Sequence, residues 1–165
     1  MYSIKRLWLR DQGVYEQWAS LMDQAGLNKE EELDYTVGIY HNDLLVATGS
    51  YYRNILKCLV VCKTFQSENL LTEIIQHLID RLAEEGEQHY FLYSKPNNES
   101  IFRSLGFQKI IATSEILFME RGLPNFTSYL SLLAQGKKTG SGSSIVMNAN
   151  PFTKGHQYLV ETAAE

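Results

Sequence analysis

The residues of this chain that are best suited to chemistry lie in one run near its C-terminal end. That run reads Ser144-Ile145-Val146-Met147-Asn148-Ala149-Asn150-Pro151-Phe152-Thr153-Lys154-Gly155-His156. Its apolar beginning, its turn residues and the helical spacing of apolar residues after it predict a strand, a tight loop and a helix start. Backbone N–H groups at a helix start attract phosphate, and an adjacent imidazole can donate to a phosphate oxygen. The run therefore predicts phosphate binding; the simpler alternative is a capped turn without a ligand.

This layout resembles the first phosphate-binding element of HxGH-type nucleotidyltransferases, which join a nucleotide to an acceptor and release pyrophosphate. The resemblance implies that Thr153 and His156 are catalytic, because they would contact the phosphates of ATP as charge builds up on them. It also implies that Gly155 lets the helix approach the nucleotide and that Asn148 and Asn150 shape the loop. We expect these five residues to bind ATP together with its Mg²⁺ ion, and we predict no metal site built by the protein alone.

Composition excludes several classes of function. The chain has 165 residues and a formal net charge of -4, so it lacks the basic surface that sequence-independent nucleic-acid binding requires. It contains no apolar run near the ~18 residues of a membrane span, and its first residues lack the apolar core of a signal peptide. We expect a cytoplasmic protein that contacts neither nucleic acid nor membrane.

The two cysteines predict no special chemistry. Cys58 and Cys62 lie four residues apart in an apolar segment that we predict to be a strand, where each residue rises ~3.3 Å. They are therefore too far apart for a disulfide. We interpret them as two buried thiols, since no further ligands for a metal lie nearby.

The elements before this run alternate between strands and helices. Apolar periodicity predicts strands over 2–7, 35–40, 44–51, 55–62, 88–94, 107–112 and 115–120, and helices over 11–26, 70–85, 97–106 and 124–135. Pro124 suits the first turn of the last of these helices. The glycine- and serine-rich stretch 137–143 predicts a flexible linker and a domain boundary.

This order of elements, with the segment Ile101-Phe102-Arg103-Ser104-Leu105-Gly106-Phe107, resembles the GNAT acetyltransferase fold. The resemblance implies an α+β layered domain with a mixed, mostly antiparallel sheet flanked by helices. Active GNAT enzymes hold the pyrophosphate of acetyl-CoA in a loop of the form Gln/Arg-x-x-Gly-x-Gly/Ala. Here the matching run is Gln66-Ser67-Glu68-Asn69-Leu70-Leu71, which lacks both small residues and adds an acidic one.

Two interpretations of this degenerate loop remain open. In the first, the domain is a GNAT scaffold without acetyltransferase activity. In the second, Gln66, Ser67 and Asn69 still hold a CoA-like arm through altered contacts.

A GNAT-like domain followed by the run Asn148–His156 resembles the citrate lyase ligases, also called citrate lyase activating enzymes, in the N-terminal half of such proteins. The resemblance implies that ATP activates acetate to acetyl-adenylate, and that the acetyl group then passes to a thiol. That thiol belongs to the CoA-derived prosthetic group on the acyl carrier subunit of citrate lyase, the expected partner. We expect a GNAT-like domain over 1–136, a linker over 137–143, and the first strand and helix of a truncated nucleotidyltransferase domain over 144–165.

From these boundaries we expect the chain alone to be inactive. The alternatives are an N-acetyltransferase that uses acetyl-CoA and a non-catalytic docking module.

Overall fold

The computed structural model describes residues 2–66, 69–137, 140 and 142–164. Its elements are β1 (Tyr2–Arg6), α1 (Gln12–Ala25), β2 (Tyr35–His41), β3 (Leu44–Tyr52), β4 (Ile55–Val61), α2 (Leu70–Glu84), β5 (Tyr90–Ser94), α3 (Glu99–Ser104), β6 (Gln108–Ala112), β7 (Leu117–Arg121), α4 (Phe126–Gln135) and α5 (Lys154–Ala164). By its contacts the chain divides into two units, Met1–Tyr129 and Leu130–Glu165. Each unit is described by itself below.

The first unit is built on one seven-stranded sheet with the order β1-β2-β3-β4-β5-β7-β6. Strands β1 to β4 form an antiparallel meander, β4 and β5 run parallel, and β5, β7 and β6 are again antiparallel. The predicted β2–β3 and β6–β7 hairpins are both confirmed, and β4 occupies the predicted centre. The sheet is therefore mixed and mostly antiparallel, as the sequence predicts.

Helix α2 covers one face of the sheet and owes its position to its apolar stripe. Leu70, Ile74, Ile75, Leu78, Ile79 and Leu82 are all buried against the sheet. Gly49 of β3 lies directly beneath this helix, where a Cβ atom would stand only 2.3 Å from Ile74 Cγ2. The close approach of sheet and helix thus requires glycine at position 49.

Helix α1 packs with a smaller apolar cluster that includes Leu7, Leu45 and Val60. The side chain of Asp11 accepts a hydrogen bond from the backbone N–H of Val14 (3.1 Å), which caps the helix as predicted. Gly26 ends the helix in the left-handed conformation, with φ of 63°. Sequence signals at both ends of α1 are therefore confirmed.

Two predictions about the first unit need correction. Helix α4 begins at Phe126, so Pro124 lies before the helix, not in its first turn. Asn125 caps it instead, because its Oδ1 accepts from the backbone N–H of Ser128 at 2.8 Å. Cys62 lies just past the end of β4 and is half-buried, so only Cys58 is a buried strand thiol.

The second unit contains helix α5, as predicted, but not the strand expected over 144–147. Residues 142–149 are described and adopt no regular structure, and the side chain of Val146 is fully exposed. A strand needs a neighbour to satisfy its backbone N–H and C=O groups. Among the described residues of this unit no strand offers that pairing. Much of the predicted linker, residues 138, 139 and 141, lies outside the described residues.

No helix in the described part of the chain is long and apolar enough to cross a membrane.

Candidate functional site

The start of helix α5 holds the contact between Thr153 and His156. Thr153 immediately precedes the helix, and its carbonyl accepts the first intrahelical hydrogen bond, from Gln157 N at 3.0 Å. The backbone N–H of Thr153 donates to Nδ1 of His156 at 3.0 Å, and the Thr153 hydroxyl oxygen lies 2.9 Å from the same nitrogen. The predicted pair of catalytic residues is thus in direct contact.

This contact indicates which ring nitrogen of His156 carries the proton. A backbone N–H can only donate, so Nδ1 must accept with its lone pair and cannot carry a proton in this arrangement. The neutral ring therefore has its proton on Nε2. The ring of Phe152 packs near that of His156, with centroids 5.7 Å apart. His156 is half-buried, and the contacts on its Nδ1 side leave Nε2–H as its remaining polar group.

The first turn of α5 also offers backbone donors. In any α-helix the first N–H groups have no intrahelical partner, and here they belong to Lys154, Gly155 and His156. A Cβ atom on Gly155 would meet only Thr153 Oγ1, at an ordinary 3.7 Å. The fold of this unit therefore does not itself require glycine at position 155.

Asn148 and Asn150 lie in the irregular segment before Pro151, and both are exposed. Within the described residues their side chains form no hydrogen bond, either to each other or to His156. The structure therefore does not bring them into the Thr153–His156 contact. Their predicted role in shaping an ATP site stays a prediction.

The second candidate site precedes α2 in the first unit. Gln66 is exposed, and its side-chain amide donates to the carbonyl of Val61 at 3.5 Å. Asn69 is exposed and does not cap α2 with its side chain. Ser67, and Glu68 beside it, lie outside the described residues. The side chain of Leu71, at the second lost small position, packs partly against the core.

A feature that the sequence analysis missed lies beside this loop, in the middle of β4. Cys58 and Leu59 together face the single residue Gly49 of β3, so β4 carries a bulge. Cys58 has a φ of 52°, in the left-handed region that side chains other than glycine rarely adopt. A cysteine gives no sequence signal for this conformation, so the bulge becomes evident only from the register of β3 and β4 in the structure.

The pairing of β4 with its neighbour β5 is short. Their register contains two pairs, Ile55 with Phe91 and Leu56 with Leu92. After Leu56, toward the loop before α2, neither strand pairs with the other among the described residues. The sheet is therefore divided at the carboxyl ends of its two central parallel strands, where α/β folds commonly bind ligands.

No group of three or more His, Cys, Asp or Glu side chains among the described residues is arranged to hold a metal ion.

The first unit shares its fold with known acetyltransferases. It is similar to the crystal structure of ElaA from Escherichia coli, with a TM-score of 0.61 and 11% identity over 73% of this chain and 99% of that one. A GNAT-family acetyltransferase from Staphylococcus aureus gives a TM-score of 0.62 and 12% identity, over 74% of this chain and 99% of the other. At this identity the likeness concerns the fold alone, and it confirms the predicted GNAT-like architecture.

Sequence comparison confirms the resemblance predicted from the Gly-His loop. Residues 142–165 match a family model described as the citrate lyase ligase C-terminal domain. The citrate (pro-3S)-lyase ligase of Klebsiella pneumoniae is 33% identical over 158 residues, which is 94% of this chain and 46% of that protein. The enzyme of the same name from Haemophilus influenzae is 32% identical over 149 residues, 88% of this chain and 44% of that protein. The chain thus spans less than half the length of the curated relatives it matches.

Proposed function

Because the chain resembles the citrate lyase ligases along most of its length, we propose that the intact protein activates acetate with ATP for a thiol acceptor. In the first step a carboxylate oxygen of acetate attacks the α-phosphate of ATP, giving acetyl-adenylate and pyrophosphate. In the second step the thiol of a CoA-derived prosthetic group attacks the acetyl carbonyl, giving a thioester and AMP. The acceptor is the acyl carrier subunit of citrate lyase.

The observation that carries this proposal is the contact between Thr153 and His156 at the start of α5. It holds His156 with its proton on Nε2, in the same helical turn whose first N–H groups have no intrahelical partner. Negative charge builds up on the α-phosphate and on the departing pyrophosphate, and fixed donors stabilise that charge where it develops. The positive end of the helix dipole acts in the same direction.

Exchange of labelled pyrophosphate into ATP, dependent on acetate, tests the first step. We expect exchange from a protein of the same length as the curated relatives. The described residues of this chain would supply one loop and one helix of the nucleotide site. His156→Leu should lower kcat about 10²-fold, as the loss of one transition-state donor commonly does. Acetate-dependent exchange that is unchanged in this variant would contradict the proposed role of His156.

Gly155→Ala provides a second test with the fold intact. The new methyl group meets no atom closer than Thr153 Oγ1 at 3.7 Å, and alanine favours helix. We expect helix α5 to be retained and ATP binding to be weakened, because the methyl group occupies the space beside the helix start. Helix content by circular dichroism, measured beside the exchange rate, separates the two effects.

For the GNAT-like domain we propose that it positions the acyl carrier subunit or its prosthetic arm. The divided sheet between β4 and β5 supports this role, and the exposed side chain of Asn69 at a family glycine position argues against tight binding of acetyl-CoA. Calorimetric titration of the chain with the acyl carrier subunit and with acetyl-CoA tests both points. Micromolar binding of acetyl-CoA with N-acetylation of amines would favour the acetyltransferase alternative instead.

A further inference from the structure

Both hydrogen-bond donors of Thr153, its backbone N–H and its hydroxyl, are directed at one atom of His156. The backbone nitrogen lies 3.0 Å and the hydroxyl oxygen 2.9 Å from Nδ1. Since Nδ1 accepts from the N–H, it has no proton to give to the hydroxyl. The hydroxyl must therefore donate its own hydrogen to Nδ1, so two donors share one lone pair.

This arrangement leaves the Thr153 oxygen facing outward with lone pairs only. A hydroxyl whose hydrogen is already used can accept hydrogen bonds but cannot donate to a phosphate oxygen. Next to an anionic phosphate such an oxygen is repelled. The same two bonds fix the plane of the imidazole and keep the proton on Nε2. Thr153 can therefore hold the imidazole of His156 in place, but its hydroxyl cannot donate a hydrogen bond to phosphate.

We propose that Thr153 is a positioning residue that works through His156, in place of the phosphate contact expected from the sequence. This inference rests on the proposed function for its effect on the reaction. The contact also resembles a capping box, in which the side chain three residues into the helix accepts the N–H of the capping residue. A role in helix capping alone is therefore the competing explanation.

A double-mutant cycle in acetate-dependent pyrophosphate exchange separates positioning from direct phosphate contact. The variants are Thr153→Val, His156→Leu and their combination, made in a protein of the same length as the curated relatives. Thr153→Val should lower kcat about tenfold with little change in KM for ATP, as the loss of an outer partner commonly does. In the His156→Leu background it should have less than about a twofold effect, because the group it positions is already gone. Effects that multiply would overturn the proposal.

Circular dichroism of Thr153→Val, which should show unchanged helix content, excludes a loss of the helix as the cause, and two further variants serve as controls. Thr153→Ser keeps the hydroxyl and should restore exchange to near the unsubstituted level. Thr162→Val removes a hydroxyl from the same helix, where Thr162 Oγ1 donates to the carbonyl of Tyr158 at 2.9 Å, and should leave exchange unchanged. A Thr162→Val effect as large as that of Thr153→Val would favour the capping explanation.

Nuclear magnetic resonance of the present chain tests the contact without any activity. An N–H···N hydrogen bond produces a scalar coupling between its two nitrogens, so the Thr153 amide nitrogen should couple to Nδ1 of His156. The chain has four histidines, and the signal that disappears in His156→Gln identifies the right one. An absent coupling overturns the positioning role. A protein without acetate-dependent exchange would instead overturn the proposed function and leave the coupling result standing.

Discussion

At the residue scale, Cys58 and Cys62 lie only four positions apart, but their surroundings shift the pKa values of their thiols in opposite directions. Burial in the core raises the pKa of the Cys58 thiol to about 11. Hydrogen bonds from the side chain and the backbone of Thr64 lower the pKa of the Cys62 thiol, and its Sγ lies 3.4 Å from Thr64 Oγ1. Since the thiolate is the reactive form, the difference in pKa and exposure should separate the two in reactivity.

We therefore predict that iodoacetamide at about pH 8 alkylates Cys62 at least about tenfold faster than Cys58. Peptide mass spectrometry over time measures both rates in one sample. Thr64→Val should slow the reaction of Cys62, because the hydrogen bond that stabilises its thiolate is lost, and should not change that of Cys58. Equal rates at the two positions would contradict the assignment.

Tyr51 is a second residue whose surroundings alter its titration. Burial, followed by a hydrogen bond to Glu85, raises the pKa of Tyr51 to about 12. Its hydroxyl donates to Glu85 Oε1 at 2.8 Å, while Nε of Arg81 contacts the same oxygen at 3.2 Å. A phenol in the unfolded chain loses its proton near pH 10. Between these two values the folded chain holds one proton more, so stability is complete below about pH 10 and falls as pH rises further.

The variant Tyr51→Phe should reveal this pH-dependent contribution to stability. At neutral pH we expect the variant to lose about 1 kcal/mol of unfolding free energy, the usual contribution of one hydrogen bond. Above about pH 10 its stability should fall less steeply than that of the unsubstituted protein, because the proton is no longer involved. Urea unfolding at a series of pH values measures both effects. Parallel pH profiles for the two proteins would show that Tyr51 does not titrate as inferred.

At the element scale, the close approach of β3 to α2 depends on the glycine at position 49, which has no side chain. A Cβ atom at position 49 would stand 2.3 Å from Ile74 Cγ2 and 3.0 Å from Leu59 Cδ2. Gly49→Ala should therefore cost about 1–3 kcal/mol of unfolding free energy through overpacking. Thermal and urea unfolding measure the loss. Gly86→Ala is the matched control, since nothing lies within 4 Å of its Cβ position and only the strain of its φ of 93° remains.

Most elements of the first unit could be predicted because apolar spacing reports burial directly. Ile74, Leu78 and Leu82 recur on one helical face, and all three are buried. The strand predicted at the start of 144–165 is not formed among the described residues, because apolar residues indicate burial but a strand also needs a partner, which sequence spacing does not supply. The bulge at Cys58 was missed because it depends on the register of two strands.

The candidate site could be predicted only in part, because local sequence signals specify the helix start but not the side-chain contacts. The helix start after Thr153 follows from local sequence signals, and the structure confirms it. The contact of Thr153 with Nδ1 of His156 depends on a side-chain rotamer, which residue types do not specify. The roles of Asn148 and Asn150 depend on a ligand, so neither sequence nor fold tests them.

At the scale of the whole molecule, the domain boundary predicted from the sequence should be the first site that a protease cleaves. The predicted linker 137–143 is rich in glycine, serine and lysine, and exposed segments of this composition are preferred cleavage sites. We predict that limited trypsin treatment cuts after Lys137 or Lys138 first and leaves a stable fragment ending there. That fragment should unfold at the same temperature as the uncut chain, measured by circular dichroism. A first cut inside β1 to β7 would contradict the proposed boundary.

The strand order β1-β2-β3-β4-β5-β7-β6 has a consequence for synthesis on the ribosome. Each of the first four strands pairs with its neighbour in the chain, so this half of the sheet can assemble as soon as Val61 has left the exit tunnel. Strand β5, by contrast, pairs on its other edge with β7 and not with β6, the strand that is made next. For the time needed to add β7, the nascent chain therefore carries an unpaired strand edge, and such edges favour aggregation. Slow translation between β6 and β7 should expose the chain to aggregation more than slow translation anywhere in its first four strands.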